Sequence, residues 1–210
     1  MYWSSQVFNN CNVPHPCKDI ILLLVGRSGS GKTTIANMLC ENNGFTELKS
    51  YTTRPKRYED EDCHIFVTKE EFDKLEDLVA YTMFDNNEYC ATKEQVEEAD
   101  VYVIDPNGVT TFMQNYTGNK QILIMYLETS EKSCIEHMLH RGDDYDKVQQ
   151  RALHDNDKFA EVTCPIDIVI GEKCSISELY DAVVLAYEFA ILNTIIAKQE
   201  EDLVWNRKLP

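Results

Sequence analysis

The sequence predicts an α/β fold with a three-layer core and a mostly parallel sheet. Residues 20–25 form a short, continuous apolar run, which is typical of a strand buried on both faces of a parallel sheet. Three further strand candidates, at 101–104, 121–127 and 166–170, are each followed by a helical stretch. This alternation of strands and helices is the order that builds a sheet covered by helices on both sides.

One segment in the first half of the chain interrupts the alternation. A glycine-rich turn after the first strand leads into a predicted helix over 34–42. Residues 50–92 then break the rhythm, because two short strand candidates at 65–67 and 81–84 flank a predicted helix over 69–78. We interpret this segment as an inserted lobe rather than as another β-α unit.

The lobe divides the core into two stretches of sequence. We expect a single domain over residues 1–210, with a core made of 19–49 and 93–210. Two helices are predicted over 131–141 and 146–159, separated by a short polar turn.

The last predicted helix covers residues 177–196. Its apolar side chains lie on one stripe, which indicates packing on the core. They are Leu179, Val183, Val184, Tyr187 and Ile191. The acidic residues Glu178, Asp181 and Glu188 interrupt the same stretch, so we expect no membrane span.

The charge balance restricts the class of ligand. The chain has 20 Lys and Arg against 36 Asp and Glu, which gives a formal net charge of -16. Such a field repels nucleic acid polymers and anionic membranes, so a small anionic ligand must be held by locally clustered cations. Eight cysteines without a CxxC pair, and a start without the signal-peptide pattern, favour the cytoplasm. A homodimer is compatible with these features.

A phosphate-binding loop follows the first strand. The stretch Gly26-Arg-Ser-Gly-Ser-Gly-Lys32-Thr33 matches the P-loop pattern G-x-x-x-x-G-K-[ST] without a mismatch, which predicts a P-loop NTPase core. Its glycines let successive backbone N–H groups turn inward, and the next helix adds its positive dipole. Lys32 is expected to reach the β and γ phosphates of ATP, and the Thr33 hydroxyl to bind Mg²⁺. The predicted phosphate-binding residues are Gly26, Ser28, Gly29, Ser30, Gly31, Lys32, Thr33 and Thr34.

Asp105 closes the predicted strand at 101–104, which places a carboxylate at the edge of the sheet where ligands bind in open α/β folds. This carboxylate can orient Mg²⁺ through water or hold a cation on the acceptor side. A turn-forming Asp before Pro106 is the structural alternative. No N-K-x-D element follows, which argues against a regulatory GTPase.

A second candidate anion site lies in Ser50-Tyr-Thr-Thr-Arg54-Pro-Lys-Arg57. Two arginines stand beside several hydroxyl groups in a protein short of cations. Guanidinium groups match phosphate oxygens with two parallel hydrogen bonds, so we favour anion binding over a solvated basic turn.

Four blocks in order resemble the guanylate kinase family, over about residues 20 to 170. They are the P-loop, the segment Ser50-x-Thr-Thr-Arg54-x-x-Arg57, the segment Val101-Tyr-Val-Ile-Asp105-x-x-Gly108, and Arg141-Gly142 followed by Arg151. The first block is shared by many NTPases, whereas the second, at its distance from the P-loop, is specific to this family.

The resemblance implies a nucleoside-monophosphate-binding (NMP-binding) lobe at 50–92 and a small helical lid at about 141–151. It implies ATP as co-substrate, Mg²⁺, and small nucleotides as the ligands. The implied acceptor-binding residues are Ser50, Thr53, Arg54, Arg57, His64, Tyr89 and Thr92. Arg141 and Arg151 match lid arginines that close over the transferring phosphoryl group, and the implied catalytic set is Lys32, Asp105, Arg141 and Arg151.

The sequence departs from the family at the base-binding position. Ala80 stands where the family has a glutamate that recognises guanine. Guanine offers two N–H donors, for which a carboxylate is the natural partner, and Glu88 or Asp85 can supply one only from another position. Thr92 matches a hydroxyl that contacts the base.

Other departures concern the phosphate site and the lid. His64 stands where the family has a phosphate-contacting tyrosine, and either a structural role or phosphate binding fits it. His137 replaces a lid arginine. The acidic residues 59–62 favour a solvated hairpin turn over a metal site.

Three functions remain open on the sequence. A nucleoside monophosphate kinase acting on GMP, dGMP or a related monophosphate is the leading one. A kinase of ribose 1,5-bisphosphate would need no base-recognising glutamate, and a catalytically silent protein-binding domain of the same fold is the third. Lys32 and Thr33 argue against the silent domain, because such scaffolds usually lose the P-loop lysine.

Overall fold

The computed structural model describes residues 16–56, 59–84, 86–159 and 164–206. The elements of this part of the chain alternate between strands and helices. They are β1 (Ile20–Gly26), α1 (Lys32–Asn43), β2 (Tyr51–Thr52), β3 (Ile65–Phe66), α2 (Lys69–Phe72), β4 (Leu78–Phe84), β5 (Asn87–Thr92), α3 (Lys93–Glu98), β6 (Val101–Val103), α4 (Pro106–Asn115), β7 (Gln121–Leu127), α5 (Glu131–His140), α6 (Tyr145–Phe159), β8 (Ile168–Ile170) and α7 (Ile176–Asn206).

The core sheet has the strand order β6-β1-β7-β8, and every neighbouring pair is parallel. β1 lies between two partners, so that Leu22 is in register with Val101 on one side and with Leu123 on the other. Helices cover both faces of this sheet. The predicted α/β class with a mostly parallel sheet is confirmed.

Alternate side chains of β1 enter two separate apolar clusters. Leu22 packs in a cluster with Leu39 of α1 and Tyr187 of α7. Leu23 packs on the other face with Phe112 of α4, in a cluster that also includes Val96, Val79 and Ala91. Because successive side chains of a strand point to opposite faces, one strand supplies both clusters, as the continuous apolar run predicted.

Residues 51–92 form a second sheet with the order β3-β2-β5-β4. β2 and β3 are parallel, whereas β5 pairs antiparallel with both β2 and β4. Through Val79, Ala80 and Ala91 this sheet contributes to the same apolar cluster as α4. Its position beside the core sheet creates the cleft described below.

The prediction of a helix over 69–78 is correct for its first turn and wrong beyond it. α2 begins with a capping box formed by Thr68 and Glu71, but it ends at Phe72. Asp77 has a left-handed φ of 52°, and Leu78 then begins β4. Burial of Val79 and Ala80 in the core, which requires the pairing of β4 with β5, prevails over the local helical pattern.

α7 extends ten residues beyond the predicted end, to Asn206. Among the described residues it contains a stretch, Ile176–Ile196, that is long and apolar enough to cross a membrane by length and composition alone. The core helices of soluble proteins pass the same test, so this is weak evidence. Leu179, Val183, Tyr187 and Ile191 of this helix are buried in the core, whereas Leu185 and Phe189 are exposed.

Candidate functional site

The P-loop connects β1 to α1 through two glycines in the left-handed region. Gly29 has φ 81° and Gly31 has φ 93°, conformations that side chains strongly disfavour. A Cβ on Gly29 would also collide with the backbone carbonyl of Cys134 in α5. The composition of the loop therefore reflects both its turn and its close approach to α5.

Lys32 folds back on the loop that carries it. Its ammonium donates hydrogen bonds to the carbonyl oxygens of Gly26 at 2.7 Å and Arg27 at 2.8 Å. Burial lowers the pKa of Lys32 to about 8, and the nearby carboxylates of Asp155 and Asp105 only partly offset this effect. The lysine thus sits in a site where its charge needs an anionic partner.

α6 binds the P-loop through side chains that the sequence analysis did not single out. The carboxylate of Asp155, which is only 8% exposed, accepts a hydrogen bond from the backbone N–H of Ser28 at 2.6 Å. The Arg27 guanidinium donates to the side-chain amide oxygen Oδ1 of Asn156 at 2.6 Å and lies 5.6 Å from the ring centre of Phe159. A backbone donor of the loop is therefore occupied by a carboxylate of the chain itself.

α5 contacts the same loop. Nδ1 of His137 lies 2.9 Å from the carbonyl oxygen of Gly29. His137 is the residue that replaces a lid arginine in the resemblance, and it is exposed. Its contact in this structure is with the loop backbone.

A cleft of about 270 Å³ lies between the P-loop, the second sheet and α6. Three P-loop residues line it together with residues that the sequence assigned to the acceptor. The lining residues include Gly26, Ser28 and Lys32 of the P-loop, Ser50, His64 and Tyr89 of the acceptor set, Ala80 and Thr82 of β4, Asp105, and Asp155 and Lys158 of α6. Of the second candidate anion site, Ser50 lines the same cavity as the P-loop, whereas Arg54 is not among the lining residues.

Ser50, His64 and Tyr89 form a polar group on one wall of the cleft. The Ser50 hydroxyl lies 2.9 Å from Nδ1 of His64. The His64 and Tyr89 rings meet edge to face, with centres 5.5 Å apart. The hydroxyl and imidazole groups of this set can hydrogen-bond to the oxygens of an anionic ligand.

Arg54 is held by a buried acid. Its two terminal nitrogens donate to the two carboxylate oxygens of Glu61, at 2.7 and 3.2 Å, and its guanidinium lies 5.2 Å from the ring centre of Phe66. Burial lowers the pKa of Arg54, but Glu61 and then Tyr89 raise it more, so the net shift is upward. Glu61 is 2% exposed, which corrects the expectation that all of residues 59–62 form a solvated turn. Arg57 lies outside the described residues.

The remaining acceptor candidates serve local structure. The Thr53 hydroxyl accepts from the backbone N–H of Glu88 at 2.9 Å. Thr92 is the N-cap of α3, where its hydroxyl accepts from the backbone N–H of Gln95. Neither residue lines the cleft.

Arg141 and Arg151 share one carboxylate. Asp143 accepts from Arg141 at 3.0 and 2.5 Å and from Arg151 at 3.1 Å. Neither arginine lines the cleft. The charge of Arg141 nonetheless contributes, after burial, to lowering the pKa of Lys32.

Asp105 uses both of its oxygens. Oδ1 accepts from the backbone N–H of Gly108 at 2.7 Å and caps α4, as the turn-forming alternative anticipated. Oδ2 lies 2.6 Å from the ammonium of Lys158. The cation that Asp105 holds in this structure is therefore the ammonium of Lys158, a residue of the chain itself.

Ala80, which stands at the base-binding position of the resemblance, lines the cleft together with Thr82. Glu88, considered above as a substitute for the missing glutamate, is bound elsewhere. It accepts from the Tyr81 hydroxyl at 3.0 Å and from the Lys69 ammonium at 2.5 Å. Asp85 lies outside the described residues.

The hydroxyl oxygen of Thr33 fits an Mg²⁺ ion that is bound together with a nucleotide. Thr33 stands in the first turn of α1 and is exposed, as is Thr34. In the described part of the chain, no group of three or more His, Cys, Asp or Glu side chains gathers to hold a metal. Mg²⁺ commonly keeps several waters and takes one or two protein oxygens together with substrate phosphates.

A helical spacing could have revealed the α6 residues. Arg151, Asp155 and Lys158 recur at intervals of four and three, so they lie on one face of the helix. Arg151 was already assigned to the lid. Asp155 and Lys158, one and two turns further along the same face, are the residues that line the cleft.

Comparisons with known proteins agree with this fold. No family model matches the chain. The chain is similar to the guanylate kinase of Clostridium tetani, with 28% identity over 81% of this chain and 95% of that protein. It is 30% identical to the guanylate kinase of Mesorhizobium japonicum over 65% of this chain and 67% of that protein.

A solved structure has the same fold. The crystal structure of guanylate kinase from Anaplasma phagocytophilum matches with a TM-score of 0.50 and 21% identity, and the match covers 86% of each chain.

Proposed function

Because the chain belongs to the guanylate kinase family, we propose that it transfers the γ-phosphoryl group of ATP to GMP, dGMP or a related nucleoside monophosphate. The chain is a phosphotransferase of the nucleoside monophosphate kinase type. One observation carries the proposed site: Lys32 and its P-loop line the same cleft as Ser50, His64 and Tyr89. A donor and an acceptor phosphate bound to these two groups would meet in one cavity.

In the proposed reaction an oxygen of the acceptor phosphate attacks the γ-phosphorus of ATP. A new P–O bond forms while the bond to the β-phosphate oxygen breaks, and ADP leaves with that electron pair. Lys32 clamps the β and γ phosphates, with the backbone N–H groups of Gly26–Thr33 around them. The Thr33 hydroxyl would hold Mg²⁺, with Asp105 acting on the ion through water, and the bound ion would neutralise phosphate charge.

The proposed lid, at about 141–151, closes over the transferring group. Arg141 and Arg151 would then exchange the carboxylate of Asp143 for phosphoryl oxygens, because both are anions of similar geometry. Closure would also exclude water, which otherwise competes as an acceptor.

The acceptor phosphate is assigned to the lobe at 50–92. Ser50, His64 and Tyr89 bind it directly in this proposal, and Arg54 adds charge from beside Tyr89. Arg57 remains part of the proposed set, as do Thr53 and Thr92 through the local structure that they stabilise.

The net charge of -16 supports small nucleotides as the ligands, rather than nucleic acid polymers or an anionic membrane. The proposed location is the cytoplasm. A homodimer stays part of the proposal, and sedimentation velocity of the purified chain tests it.

One observation favours a second acceptor class. Ala80 and Thr82 offer no carboxylate to guanine, and Glu88 is engaged by Tyr81 and Lys69. A ribose 1,5-bisphosphate has no base and would need none.

A coupled assay of ADP release separates these functions. We expect turnover with GMP, dGMP or another nucleoside monophosphate, and loss of at least about a hundredfold in Lys32→Met. Turnover with ribose 1,5-bisphosphate but with no nucleoside monophosphate would show that the acceptor is a sugar phosphate. Tight ATP binding without turnover of any acceptor would point to the silent binding domain.

A further inference from the structure

The cations predicted to bind phosphate are largely engaged with the chain's own acids. Arg54 is paired with Glu61, whereas Arg141 and Arg151 are paired with Asp143. Among the described residues, the Lys and Arg side chains that line the cleft are Lys32 and Lys158. Lys32 belongs to the P-loop and so to the donor phosphates, which leaves Lys158 as the lysine of the cleft without an assigned ligand.

The position of Lys158 is well defined. Its side chain is 18% exposed, and its ammonium lies 2.6 Å from Oδ2 of Asp105. Asp105 is itself fixed by the Gly108 backbone N–H, so the pair stands at the carboxyl end of β6. This edge of a parallel sheet is where ligands bind in such folds.

We propose that Lys158 is a catalytic residue that binds the acceptor phosphate during transfer, with Asp105 as its positioning residue. The inference rests on the function proposed above. When the acceptor oxygen attacks the γ-phosphorus, two anionic phosphates must approach each other. An ammonium held in the same cavity reduces that repulsion, and because Asp105 holds it in place, little reorganisation is needed at the moment of transfer.

A salt bridge that merely ties α6 to the start of α4 is the structural alternative. The two accounts differ in which kinetic constant changes. A structural tether would affect thermal stability and both substrates together. An acceptor-binding lysine affects the acceptor KM and kcat, while ATP binding is retained.

The experiment compares Lys158→Gln, Lys158→Arg and Lys132→Gln in the full chain. Lys132 of α5 is 85% exposed, lies outside the proposed lid and does not line the cleft. With the preferred acceptor from the assay above varied at saturating ATP, we expect Lys158→Gln to lose about a hundredfold in kcat/KM for the acceptor. The KM for ATP should change less than about threefold, Lys158→Arg should recover at least about tenfold of the loss, and Lys132→Gln should match the wild type.

A double variant guards against a folding defect. Removal of Lys158 alone leaves Asp105 without this partner, so Lys158→Met combined with Asp105→Asn removes both charges at once. Because Asp105 is also assigned to Mg²⁺, the double variant is compared by acceptor binding without ATP and Mg²⁺ rather than by turnover, and its binding should be as weak as that of Lys158→Gln. A calorimetric titration with the acceptor alone should show weaker binding in both variants.

The inference is overturned if Lys158→Gln keeps acceptor kcat and KM within about threefold of the wild type. It is also overturned if acceptor and ATP constants deteriorate equally while the melting temperature falls. Failure of the proposed function looks different, because the wild type itself would then turn over no monophosphate. In that case the acceptor titration decides: equal binding by wild type and Lys158→Gln overturns the inference.

Discussion

The carboxylate of Asp155 accepts a hydrogen bond from the backbone N–H of Ser28 at 2.6 Å, inside the loop expected to bind nucleotide phosphates. A carboxylate and a phosphate are both anionic acceptors, so they compete for this donor. Asp155 lies one turn after Arg151 on the same face of α6. Displacement of the carboxylate by ATP would release the helix that carries a proposed lid arginine.

Asp155→Asn should therefore strengthen ATP binding. The amide keeps a neutral acceptor for the Ser28 N–H but loses the charge, and the difference between charged and neutral hydrogen bonds corresponds to about a fivefold lower Kd. Calorimetric titration with ATP measures it. Asp157→Asn, at an exposed position of the same helix, is the matched control and should leave the Kd unchanged. Weaker ATP binding in Asp155→Asn would mean that the carboxylate supports the loop instead of competing for it.

The lowered pKa of Lys32 predicts an alkaline limit to ATP capture. Burial brings this pKa down to about 8, so the unliganded enzyme loses the lysine charge as pH rises through that value. We expect kcat/KM for ATP to be about tenfold lower at pH 9 than on its plateau below about pH 7. Bound phosphates favour the protonated lysine, so kcat at saturating ATP should fall only at higher pH. A flat profile of kcat/KM up to pH 10 would contradict this assignment.

Gly29→Ala should damage the P-loop while the fold persists. Its Cβ would strike the backbone carbonyl of Cys134, and φ is 81° there. We expect at least about a tenfold loss of ATP affinity, measured by titration. Gly44→Ala shares the left-handed strain, with φ 70°, but meets nothing within 4 Å. This control should lose about 1 kcal/mol of stability at unchanged ATP affinity.

Glu61→Gln should destabilise the lobe. Arg54 and Glu61 are 10% and 2% exposed, so neutralising the acid leaves a largely buried guanidinium without its charged partner. Urea denaturation should show a loss of about 2 kcal/mol or more, together with a higher KM for the acceptor. Asp62→Asn, which removes an acid that is 87% exposed and paired with Lys49, should leave the urea midpoint unchanged. Equal effects of the two variants would show that burial does not distinguish these acids.

The parts of the fold that local patterns determine were predictable. The continuous apolar run gave β1, the glycine pattern gave the P-loop, and the apolar stripe gave the buried face of α7. Each depends on side chains that are close in sequence. The end of α2 was not predictable in this way, because it depends on β4 pairing with β5 and burying Val79 and Ala80.

The site shows the same division. The sequence identified Lys32, Ser50, His64 and Tyr89, which the structure brings to one cleft. It did not reveal which acids neutralise which cations, since Arg54 with Glu61 is a pairing made by folding. The roles of Asp155 and Lys158 likewise depend on how α6 docks against the P-loop, which no single-sequence pattern specifies.

β1 contributes side chains to both apolar clusters, which lie on its opposite faces, so both clusters depend on this strand. If the packing on either side melts, the anchor of the glycine turn is lost along with it. Heating should therefore abolish nucleotide capture and the core in one cooperative step, and saturating ATP should raise the midpoint of that step by mass action.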